Sequence, residues 1–376
     1  MTRSRRLPSP GEVAWTFVKY NWLQPLLRRP FPPKTLVLYV TYRCNSRCVM
    51  CGIWRRGDDY PQAGELLPHQ LAGILNDRLF ADVEHLNING GEPSLRHDLA
   101  DLVQVAIEKL PRLRWISMSS NGLLARRLVP QVKRIARAGA SADIPVSLAL
   151  SLHGVADISD RVFGIPGAFE KQVAALEALQ ALARDGQLRL TLHCVISEAN
   201  AGHLGELLDW SRARGLPIQF ALGEVRERFL NQDVADQMVL SDQSRAGVVH
   251  FLRALSQEKR LSNPSAFRYH HLADMLQSGA RRTLSCHYAM GGVILGSRGE
   301  LYYCPHSRVL GSGRDRPAGD VYYDAQNLDY RRSVLFRKKC PHCPPYTFNL
   351  WELEKDVARY IKFLIAPQGR RPDRFR

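Results

Sequence analysis

The chain of 376 residues is 45% hydrophobic and 23% charged, and its formal net charge is +16. This composition excludes an intrinsically disordered protein, because a chain of this length and hydrophobic content can bury a proper core in one large or two ordinary domains. It does not indicate a membrane span or export, since no apolar run of about eighteen residues occurs and basic residues 1–6 precede no signal-like apolar stretch. We therefore expect a cytoplasmic protein whose eight cysteines bind metal rather than form disulfides.

The basic charge is concentrated in three segments of the chain. Lys and Arg outnumber acidic residues by seven to one in residues 1–34, by five to one in residues 326–340 and by four to one in residues 366–376. These segments contribute +6, +4 and +3 of the net +16. Such segments bind nucleic acid, lipid head groups or a phosphorylated substrate, unless they form only a solvated basic surface. Charge alone leaves these alternatives open, and nucleic acid is the partner that we favour least.

Residues 1–34 form a basic and aromatic segment that we expect to be helical. Between Trp15 and Arg29 the segment combines aromatic residues and leucines with basic residues, which suits a helix lying at a membrane surface. One hypothesis is peripheral attachment to an anionic membrane surface at the inner membrane face, close to a lipid-linked substrate. The alternative is a helix that packs on the folded domain and leaves its cations in solvent.

Short apolar strands alternate with longer helical segments from residue 35 onward, which is typical of parallel β/α units. The predicted strands are 35–41, 84–90, 113–119, 145–152, 188–195 and 216–222. The helices predicted between them are 67–79, 97–110, 127–138, 168–185 and 203–214. Residues 35–222 therefore form one domain, followed by linker helices in 223–280 that Pro264 interrupts. A smaller C-terminal part follows at 281–350, and a C-terminal helix with a basic tail at 351–376.

One face of the predicted strands is polar. It carries His85, Asn87 and Asn89 on the second strand, Ser117 and Ser119 on the third with Asn121 beyond its end, Ser147, Ser151 and His153 on the fourth, Thr191 and His193 on the fifth, and Gln219 on the sixth. The lumen of an ordinary eight-stranded barrel is packed with Val, Ile and Leu instead. Because burying so many unpartnered polar groups is costly, we expect an open, hydrated lumen that holds a polar ligand. The alternative is an open sheet whose polar face meets solvent.

Three cysteines, Cys44, Cys48 and Cys51, follow the first predicted strand with spacings of four and three positions. A tetrahedral zinc site is normally built from two close pairs of ligands, whereas a compact triplet can bind three corners of a [4Fe-4S] cluster and leave the fourth iron open. Structural thiols are the remaining interpretation, although oxidation would threaten three thiols in an exposed turn.

The triplet, together with Gly90-Gly91-Glu92-Pro93 some forty residues later, resembles the radical S-adenosylmethionine (radical SAM) superfamily over about residues 35–222. The resemblance implies an α/β fold, an incomplete (β/α)6 TIM-type barrel. It also implies that a [4Fe-4S] cluster on the three cysteines cleaves S-adenosylmethionine to a 5′-deoxyadenosyl radical, which abstracts hydrogen from a substrate. Met50 stands where the family usually carries an aromatic residue, a small departure because methionine is also bulky and apolar.

The same resemblance implies a binding site for S-adenosylmethionine. Gly90, Gly91, Glu92 and Pro93 would contact its amino group through backbone carbonyl and carboxylate, and a glycine pair lets a ligand approach the backbone closely. On the fourth strand and beyond it, Ser151 and Arg161 would hold the ribose and the carboxylate, which Arg binds bidentately. Asn121 would also reach the ligand. An ordinary turn at Asn121 and a surface role for Arg161 remain as alternatives. His153 and His193 are either proton carriers or, more simply, hydrogen-bonded structural histidines.

A second cysteine group follows the linker helices. Cys286 and Cys304, with Gly299 between them, and the later pair Cys340 and Cys343 resemble the auxiliary-cluster extensions called SPASM and twitch domains. No cysteine follows Cys343, so four ligands are available for one auxiliary [4Fe-4S] cluster in a twitch-like domain. Structural zinc is the alternative, because four cysteines with a close pair also form a common zinc set. The remaining Cys194 is expected to be a core thiol.

These observations predict a radical SAM enzyme that uses the auxiliary cluster for oxidation or bond formation. The expected substrate belongs to small-molecule, natural-product or lipid-linked metabolism, and the resemblance implies a reductant such as flavodoxin or ferredoxin. One alternative is a peptide- or protein-modifying maturase, although the 34 residues before the barrel are too short for a winged-helix leader-binding domain. An alternative of another class is a nucleic-acid-binding protein with structural metal sites, which would bind in a salt-sensitive manner without cleaving S-adenosylmethionine.

Overall fold

The computed structural model describes residues 9–59, 64–226, 229–261, 263–345 and 350–366. Its central element is a nine-stranded, mostly parallel sheet. The strands are β1 (Thr35–Tyr39), β2 (His85–Asn89), β3 (Trp115–Ser120), β4 (Val146–Ser151), β5 (Arg189–Ile196), β6 (Ile218–Leu222), β7 (Gly292–Leu295), β8 (Glu300–Tyr302) and β9 (Gly311–Ser312). The six predicted strands thus coincide with β1–β6 to within three residues at each end.

Helices connect the parallel strands and continue on both sides of them. The α-helices are α1 (Pro10–Val18), α2 (Gln24–Leu27), α3 (Ile53–Asp59), α4 (Pro68–Leu75), α5 (Leu99–Lys109), α6 (Ala125–Ser141), α7 (Asp157–Phe163), α8 (Ala168–Arg184), α9 (Leu204–Ala213), α10 (Ala235–Met238), α11 (Asp242–Glu258), α12 (Ser265–Ser278), α13 (His287–Gly291), α14 (Ala318–Tyr322), α15 (Ala325–Tyr330), α16 (Leu350–Lys355) and α17 (Val357–Ile365). The five helices predicted between the strands correspond to α4, α5, α6, α8 and α9.

Strands β1 to β6 are neighbours in chain order, and each pair is parallel. Parallel neighbours joined by helices are the repeating unit of a TIM-type barrel. The prediction of an α/β fold with an incomplete (β/α)6 barrel is therefore confirmed.

The sheet also extends beyond β1, which the sequence analysis did not predict. Strand β7 pairs with β1 in parallel, with Thr35 opposite Gly292, and β8 and β9 follow in antiparallel pairing. The strand order is consequently β6-β5-β4-β3-β2-β1-β7-β8-β9. The segment that carries the second cysteine group thus joins the first strand of the barrel directly.

The two faces of β1–β6 differ as their alternation predicts. Leu86 and Ile88 of β2 are fully buried in the core between the sheet and its helices, whereas Asn87 on the opposite face is half-buried. The polar groups of this face bind one another: Ser117 Oγ lies 2.7 Å from His85 Nε2 and 2.6 Å from Asn87 Nδ2. Mutual hydrogen bonding therefore lowers the cost of placing polar side chains inside the barrel.

The N-terminal helices pack on the C-terminal ones. Helix α1 contacts α16, and the buried Tyr20 lies in the π-helical turn Lys19–Leu23 that joins α1 to α2. Pro264 immediately precedes α12 and separates it from α11, as the sequence predicts. None of the helices in the described residue ranges is both long and apolar enough to cross a bilayer.

Candidate functional site

The loop that carries Cys44, Cys48 and Cys51 follows β1 and lies against the loop after β2. The backbone N–H of Gly91 donates to the Thr41 carbonyl at 2.7 Å, and that of Glu92 to the Arg43 carbonyl at 2.8 Å. A Cβ atom at Gly90 or Gly91 would overlap the Thr41 or Arg43 carbonyl oxygen. The glycine pair is thus required for the close approach of two protein backbones, not only for the approach of a ligand.

Helix α7 holds the cysteine loop from a second side. The backbone N–H groups of Arg47 and Val49 donate to the carbonyls of Phe163 and Val162, each at 2.9 Å. The hydroxyl of Ser46 donates to the Phe163 carbonyl at 3.1 Å and lies 2.9 Å from Cys48 Sγ. The end of α7 therefore fixes the middle of the loop and the position of one thiol.

The segment after β6 holds the loop from a third side. Gly52 N–H donates to the Phe229 carbonyl at 2.7 Å. The side-chain amide of Asn231 donates to the carbonyls of Met50 and Glu224, both at 2.9 Å. The cysteine loop is therefore clamped by elements that follow β2, β4 and β6.

The three thiols of this loop share one environment, and each is partly buried. Burial, followed by the nearby Cys48 and Glu92, raises the pKa of Cys44, and burial with the nearby Cys51 raises the pKa of Cys48 to about 12. Thiols that influence one another's ionisation in this way are close neighbours. Three neighbouring thiols from one loop could hold a [4Fe-4S] cluster with one open iron, as the sequence predicts, and binding the cluster would release the thiol protons.

Glu92 and Asn121 lie next to the cysteine loop, where the sequence analysis predicted site residues. Both carboxylate oxygens of Glu92 accept hydrogen bonds from protein groups: Ser94 N–H at 3.0 Å, Ser120 Oγ at 2.8 Å and Asn121 N–H at 2.7 Å. The amide Nδ2 of Asn121 lies 3.8 Å from Cys44 Sγ and donates to Asn45 Oδ1 at 2.8 Å. The carboxylate of Glu92 therefore fixes the loops after β2 and β3 to each other, while the amide of Asn121 contacts a candidate ligand sulfur.

Ser151 and Asn121 are joined through a residue that the sequence analysis did not identify. The buried amide of Gln172 donates to the Asn121 carbonyl at 3.1 Å and to the Ser151 carbonyl at 3.0 Å. Pro93 is buried and begins the 3₁₀ turn Pro93–Leu95. Arg161 lies on α7 with its side chain exposed. The structure thus brings Ser151, Asn121 and Glu92 to one end of the barrel, whereas the described contacts do not join Arg161 to them.

A buried charge network beneath the cysteine loop also went unpredicted. Arg96 is almost fully buried and donates to the carbonyls of Val40 and Leu66 at 3.1 and 2.9 Å. Its guanidinium pairs with Asp98 at 2.7 Å and with Glu65 at 3.2 Å. The only signal in the sequence is an arginine three positions after the Gly-Gly-Glu-Pro motif. The network fixes the end of β1, from which the cysteine loop starts.

The second cysteine group is assembled from three segments. Cys286 precedes α13 and Cys304 follows β8, while Cys340 begins the 3₁₀ turn Cys340–His342 and Cys343 follows it. Burial and the nearby Cys286 raise the pKa of Cys304 to about 12, and burial with Cys286 raises the pKa of Cys340 to about 11. The four predicted ligands therefore lie close together although they are far apart in the chain. Cys194 is fully buried in the core, as expected for a core thiol.

Arg282 connects the segments of this second group. Its backbone N–H donates to the Pro341 carbonyl at 2.8 Å, and its guanidinium donates to the Ser285 carbonyl at 2.6 Å. The Nη1 atom lies 3.8 Å from Cys343 Sγ. One cation thus contacts a candidate ligand sulfur and the residue before Cys286.

A buried ion pair lies between the two cysteine groups. The guanidinium of Arg226 contacts the carboxylate of Glu224, and both side chains are less than a tenth exposed. On one side, Arg226 lies 5.2 Å from the ring of Phe229, which packs in the same apolar cluster as Cys44 and Cys51. On the other side, Glu224 Oε1 lies 3.4 Å from His306 Nε2. A carboxylate oxygen of Glu224, a ring nitrogen of His306 and Cys343 Sγ all lie within 4.8 Å of one another. The segment after β6 therefore contacts both groups.

A cavity of about 520 Å³ opens beside Cys343 and the end of β6. Its wall is apolar at Leu222, Met238 and Met275, and basic at Arg245 and Lys339 among others. Such a mixture of apolar surface and a few polar groups is typical of ligand sites.

Comparison with known proteins agrees with this geometry. The sequence model of the radical SAM superfamily matches residues 38–211. Mycofactocin maturase MftC of Mycobacterium tuberculosis is 29% identical over 313 residues, which cover 81% of this chain and 72% of that protein. GTP 3′,8-cyclase 1 of Pseudomonas aeruginosa is 31% identical over 245 residues, which cover 62% of this chain and 67% of that protein.

Solved structures show the same fold. The anSMEcpe structure with bound AdoMet has a TM-score of 0.59 at 16% identity and covers 89% of this chain and 95% of its own. Streptococcus suis SuiB bound to precursor peptide SuiA has a TM-score of 0.58 at 14% identity, with coverage of 83% and 69%. The match to the superfamily model and the similarity to the Pseudomonas cyclase show that the chain belongs to the radical SAM superfamily, whose enzymes use a [4Fe-4S] cluster and S-adenosylmethionine.

Proposed function

We propose that this radical SAM enzyme holds its catalytic [4Fe-4S] cluster on Cys44, Cys48 and Cys51 and oxidatively modifies a peptide substrate. The observation that carries the proposal is the gathering of the three thiols in one clamped loop, with Asn121 3.8 Å from Cys44 Sγ. When bound, the cluster supplies the electron that cleaves S-adenosylmethionine to the 5′-deoxyadenosyl radical. The cofactor would lie at the carboxyl ends of the strands, near Gly90, Ser151 and Asn121.

The chain's own residues prepare this site in three ways. Backbone hydrogen bonds from Gly91 and Glu92 fix the direction in which the cysteine loop leaves β1. The amide of Asn121 presents a donor to Cys44 Sγ, and a donor to a ligand sulfur stabilises negative charge on it. Apolar side chains, including Tyr42 and Ile53, pack against Cys44 and Cys51 and limit the access of water to these partly buried thiols. Limited access of water protects a reactive intermediate from side reactions.

We further propose that Cys286, Cys304, Cys340 and Cys343 hold an auxiliary [4Fe-4S] cluster. When bound, this group would accept an electron from the substrate, which suits net oxidation or bond formation. Similarity to mycofactocin maturase extends over 313 residues and hence beyond the barrel match at 38–211. Four cysteines with a close pair also form a common zinc set. The presence of a radical SAM domain in the same chain favours the cluster over zinc.

The peptide substrate is supported by the relatives rather than by a motif. Among them are a mycofactocin maturase and PqqA peptide cyclase of Rhizobium meliloti, 29% identical over 187 residues. The cavity beside Cys343 offers apolar and basic groups that suit a peptide with apolar and acidic side chains. Similarity to GTP 3′,8-cyclase favours a second candidate, a small anionic substrate.

The decisive experiment is anaerobic reconstitution with iron and sulfide, followed by addition of S-adenosylmethionine and dithionite. We expect release of 5′-deoxyadenosine, about eight irons per chain at four for each cubane, and no stoichiometric zinc. The same reaction without dithionite is the control. Absence of 5′-deoxyadenosine would contradict the proposed catalytic cluster, and about four irons with one zinc would contradict the auxiliary cluster.

A labelling experiment tests the substrate class. Extracts of cells grown in deuterated medium are separated into peptide, small-molecule and lipid fractions and added to the reconstituted enzyme. Hydrogen abstraction transfers deuterium from the substrate to 5′-deoxyadenosine, which mass spectrometry detects. We expect labelling from the peptide fraction. Labelling from only the small-molecule or lipid fraction would overturn the peptide proposal and leave the radical chemistry intact.

A further inference from the structure

Five large apolar side chains at the N-terminus lie in solvent. The exposed fractions are 58% for Trp15, 41% for Val18, 64% for Trp22, 76% for Leu26 and 55% for Leu27. Large apolar side chains that cluster at the surface mark an interaction site, whereas single ones need no explanation. We call this set the exposed N-terminal face.

Four of the five residues lie on one side of a continuous helix. Trp15, Val18, Trp22 and Leu26 follow one another at intervals of three, four and four residues, which place them on a common face through α1, the π-helical turn Lys19–Leu23 and α2. This spacing is the signature of a helix that buries one side. In this chain that side faces away from the protein.

The opposite side of the same helix is fixed to the protein. Tyr20 is only 3% exposed. The Asn21 amide donates to the Lys355 carbonyl at 3.3 Å, and the Gln24 amide donates to the Ala289 carbonyl at 3.1 Å. The helix therefore packs on the domain, as one of the two alternatives drawn from the sequence predicts, and also presents an apolar face outward. A face held in place loses little conformational freedom when it binds a partner.

Positive charge lies at the end of this face. Arg28 and Arg29 follow α2 and are exposed. The guanidinium of Arg332 donates to the Arg28 carbonyl at 3.5 Å, which brings the basic segment Arg331–Lys339 against the end of the helix. Two of the three basic segments of the sequence, far apart in the chain, therefore meet beside the exposed apolar residues.

We propose that the exposed N-terminal face docks the enzyme on an anionic lipid bilayer. Tryptophan and leucine insert at the boundary between head groups and acyl chains, and adjacent Arg and Lys bind the acidic head groups. The charge beside the face favours an anionic surface over an uncharged apolar partner. The proposal does not depend on the proposed function, because docking requires neither cluster nor turnover.

Flotation with vesicles of equal parts phosphatidylglycerol and phosphatidylcholine tests the proposal. We expect the reconstituted full chain to float with them at low salt, to bind pure phosphatidylcholine far less, and to be released by high salt. The variant Trp15→Ser/Trp22→Ser/Leu26→Ser should bind at least about tenfold less, because it removes the apolar insertion. The variant Arg28→Gln/Arg332→Gln should lose the preference for the anionic lipid.

Matched controls separate docking from general effects. The variant Leu261→Ser/Val309→Ser/Ile365→Ser removes three other exposed apolar side chains and should float like the wild type. The variant Arg137→Gln/Arg184→Gln removes two exposed cations of the barrel helices and should also float. Equal melting temperatures establish that each variant is folded.

Three outcomes would overturn the proposal: no flotation of the wild type at any salt, flotation of the triple serine variant as strong as that of the wild type, or equal loss in the apolar control. Sedimentation in the absence of lipid tests for a fourth outcome that would overturn the proposal. A wild-type dimer that the triple serine variant converts to a monomer would show that a second copy covers the face instead.

Discussion

The two cysteine groups of this enzyme are built in opposite ways. Cys44, Cys48 and Cys51 belong to one short loop whose backbone is clamped by the elements after β2, β4 and β6. The second group gathers Cys286, Cys304, Cys340 and Cys343 from three segments separated by β7, β8 and a long helical stretch. A local loop can present its thiols even without metal, whereas a group assembled from distant segments gains much of its order from the metal that joins them. The comparison predicts different consequences when each group is removed.

Removing the first group should have the largest effect on chemistry. In the variant Cys44→Ala/Cys48→Ala/Cys51→Ala, we expect complete loss of 5′-deoxyadenosine formation, because the three proposed ligands of the catalytic cluster are removed. About four irons should remain on the second group, as counted by chemical analysis. Cys194→Ala, which removes a core thiol, is the matched control and should retain both activity and iron. Residual turnover in the triple variant would show that the cluster is elsewhere.

Removing the second group should have the largest effect on stability. The variant Cys286→Ala/Cys304→Ala/Cys340→Ala/Cys343→Ala should also keep about four irons. It should still release 5′-deoxyadenosine while losing the substrate product. Its melting temperature should fall more than that of the triple variant, since the metal no longer ties three segments together. An equal fall of the melting temperature in both variants would contradict the expected difference between a cysteine group from one loop and a group assembled from distant segments.

Breaking the ion pair between the two cysteine groups should lower the free energy of unfolding. Replacing Arg226 with Met leaves the buried Glu224 carboxylate without this partner, and breaking a buried pair costs about 3–5 kcal/mol of unfolding free energy. The double variant Arg226→Met/Glu224→Gln should regain much of the loss, because no charge stays unpaired. Denaturant unfolding measures both values. A single variant as stable as the wild type would mean that the pair does not couple the two regions.

Each cysteine group has a hydrogen-bond donor beside one of its sulfurs, and removing that donor should affect only its own group. Asn121→Ala removes the amide beside Cys44 Sγ, and Arg282→Met removes the guanidinium beside Cys343 Sγ, each 3.8 Å away. Loss of such a donor should make the potential of its own cluster more negative and reduce metal retention roughly tenfold. Redox titration followed by electron paramagnetic resonance should show each variant shifting only one of two signals. A shift of both signals in either variant would contradict this assignment.

The smallest expected effect is the change of stability with pH that the buried His153 causes. His153 Nδ1 accepts a hydrogen bond from Val195 N–H at 3.1 Å, and its ring stacks on Phe163 at 4.8 Å. Burial, followed by the nearby His193, lowers the pKa of His153 to about 3. Below about pH 6.5 the unfolded chain binds a proton that the folded one rejects, so stability falls with falling pH, by up to about 1.4 kcal/mol per unit.

The variant His153→Leu should therefore weaken this pH dependence. Unfolding free energies measured from pH 7 down to about pH 5 give the slope in each protein. Cys194→Ala, which removes another buried side chain but no group that titrates in this pH range, is the control and should keep the slope of the wild type. A slope in His153→Leu equal to that of the wild type would mean that His153 does not titrate as its burial indicates.

The N-terminal helix illustrates how sequence and structure complement each other. Its aromatic and basic residues indicated a membrane surface or a packed helix, and the sequence could not choose. The structure shows that residues such as Tyr20 pack while Trp15 and Trp22 remain exposed. Orientation about the helix axis decides this division, and it depends on hydrogen bonds to Lys355 and Ala289 from the other end of the chain.

The sequence by itself determined the barrel strands, the helices between them, the polar lumen and the two cysteine groups. These features are local, because side-chain alternation, helical periodicity and ligand spacing are all expressed within a few residues. It also placed Asn121 and Ser151 at the carboxyl ends of their strands, where the parallel arrangement brings loops together.

Only the tertiary structure decided how distant segments meet. Strand β7 pairs with the free edge of β1, and no local sequence pattern indicates which strand will occupy that edge. The hydrogen bonds that Glu92 accepts from Ser120 and Asn121, and the exposure of Arg161, are likewise known only from the fold, and the ligand contacts of both residues stay predictions. The pair of Arg226 and Glu224 lies between the cysteine groups because β6 ends there. Long-range pairing and burial of charge depend on the whole fold, so residues far apart in the chain acquire these roles only when it is complete.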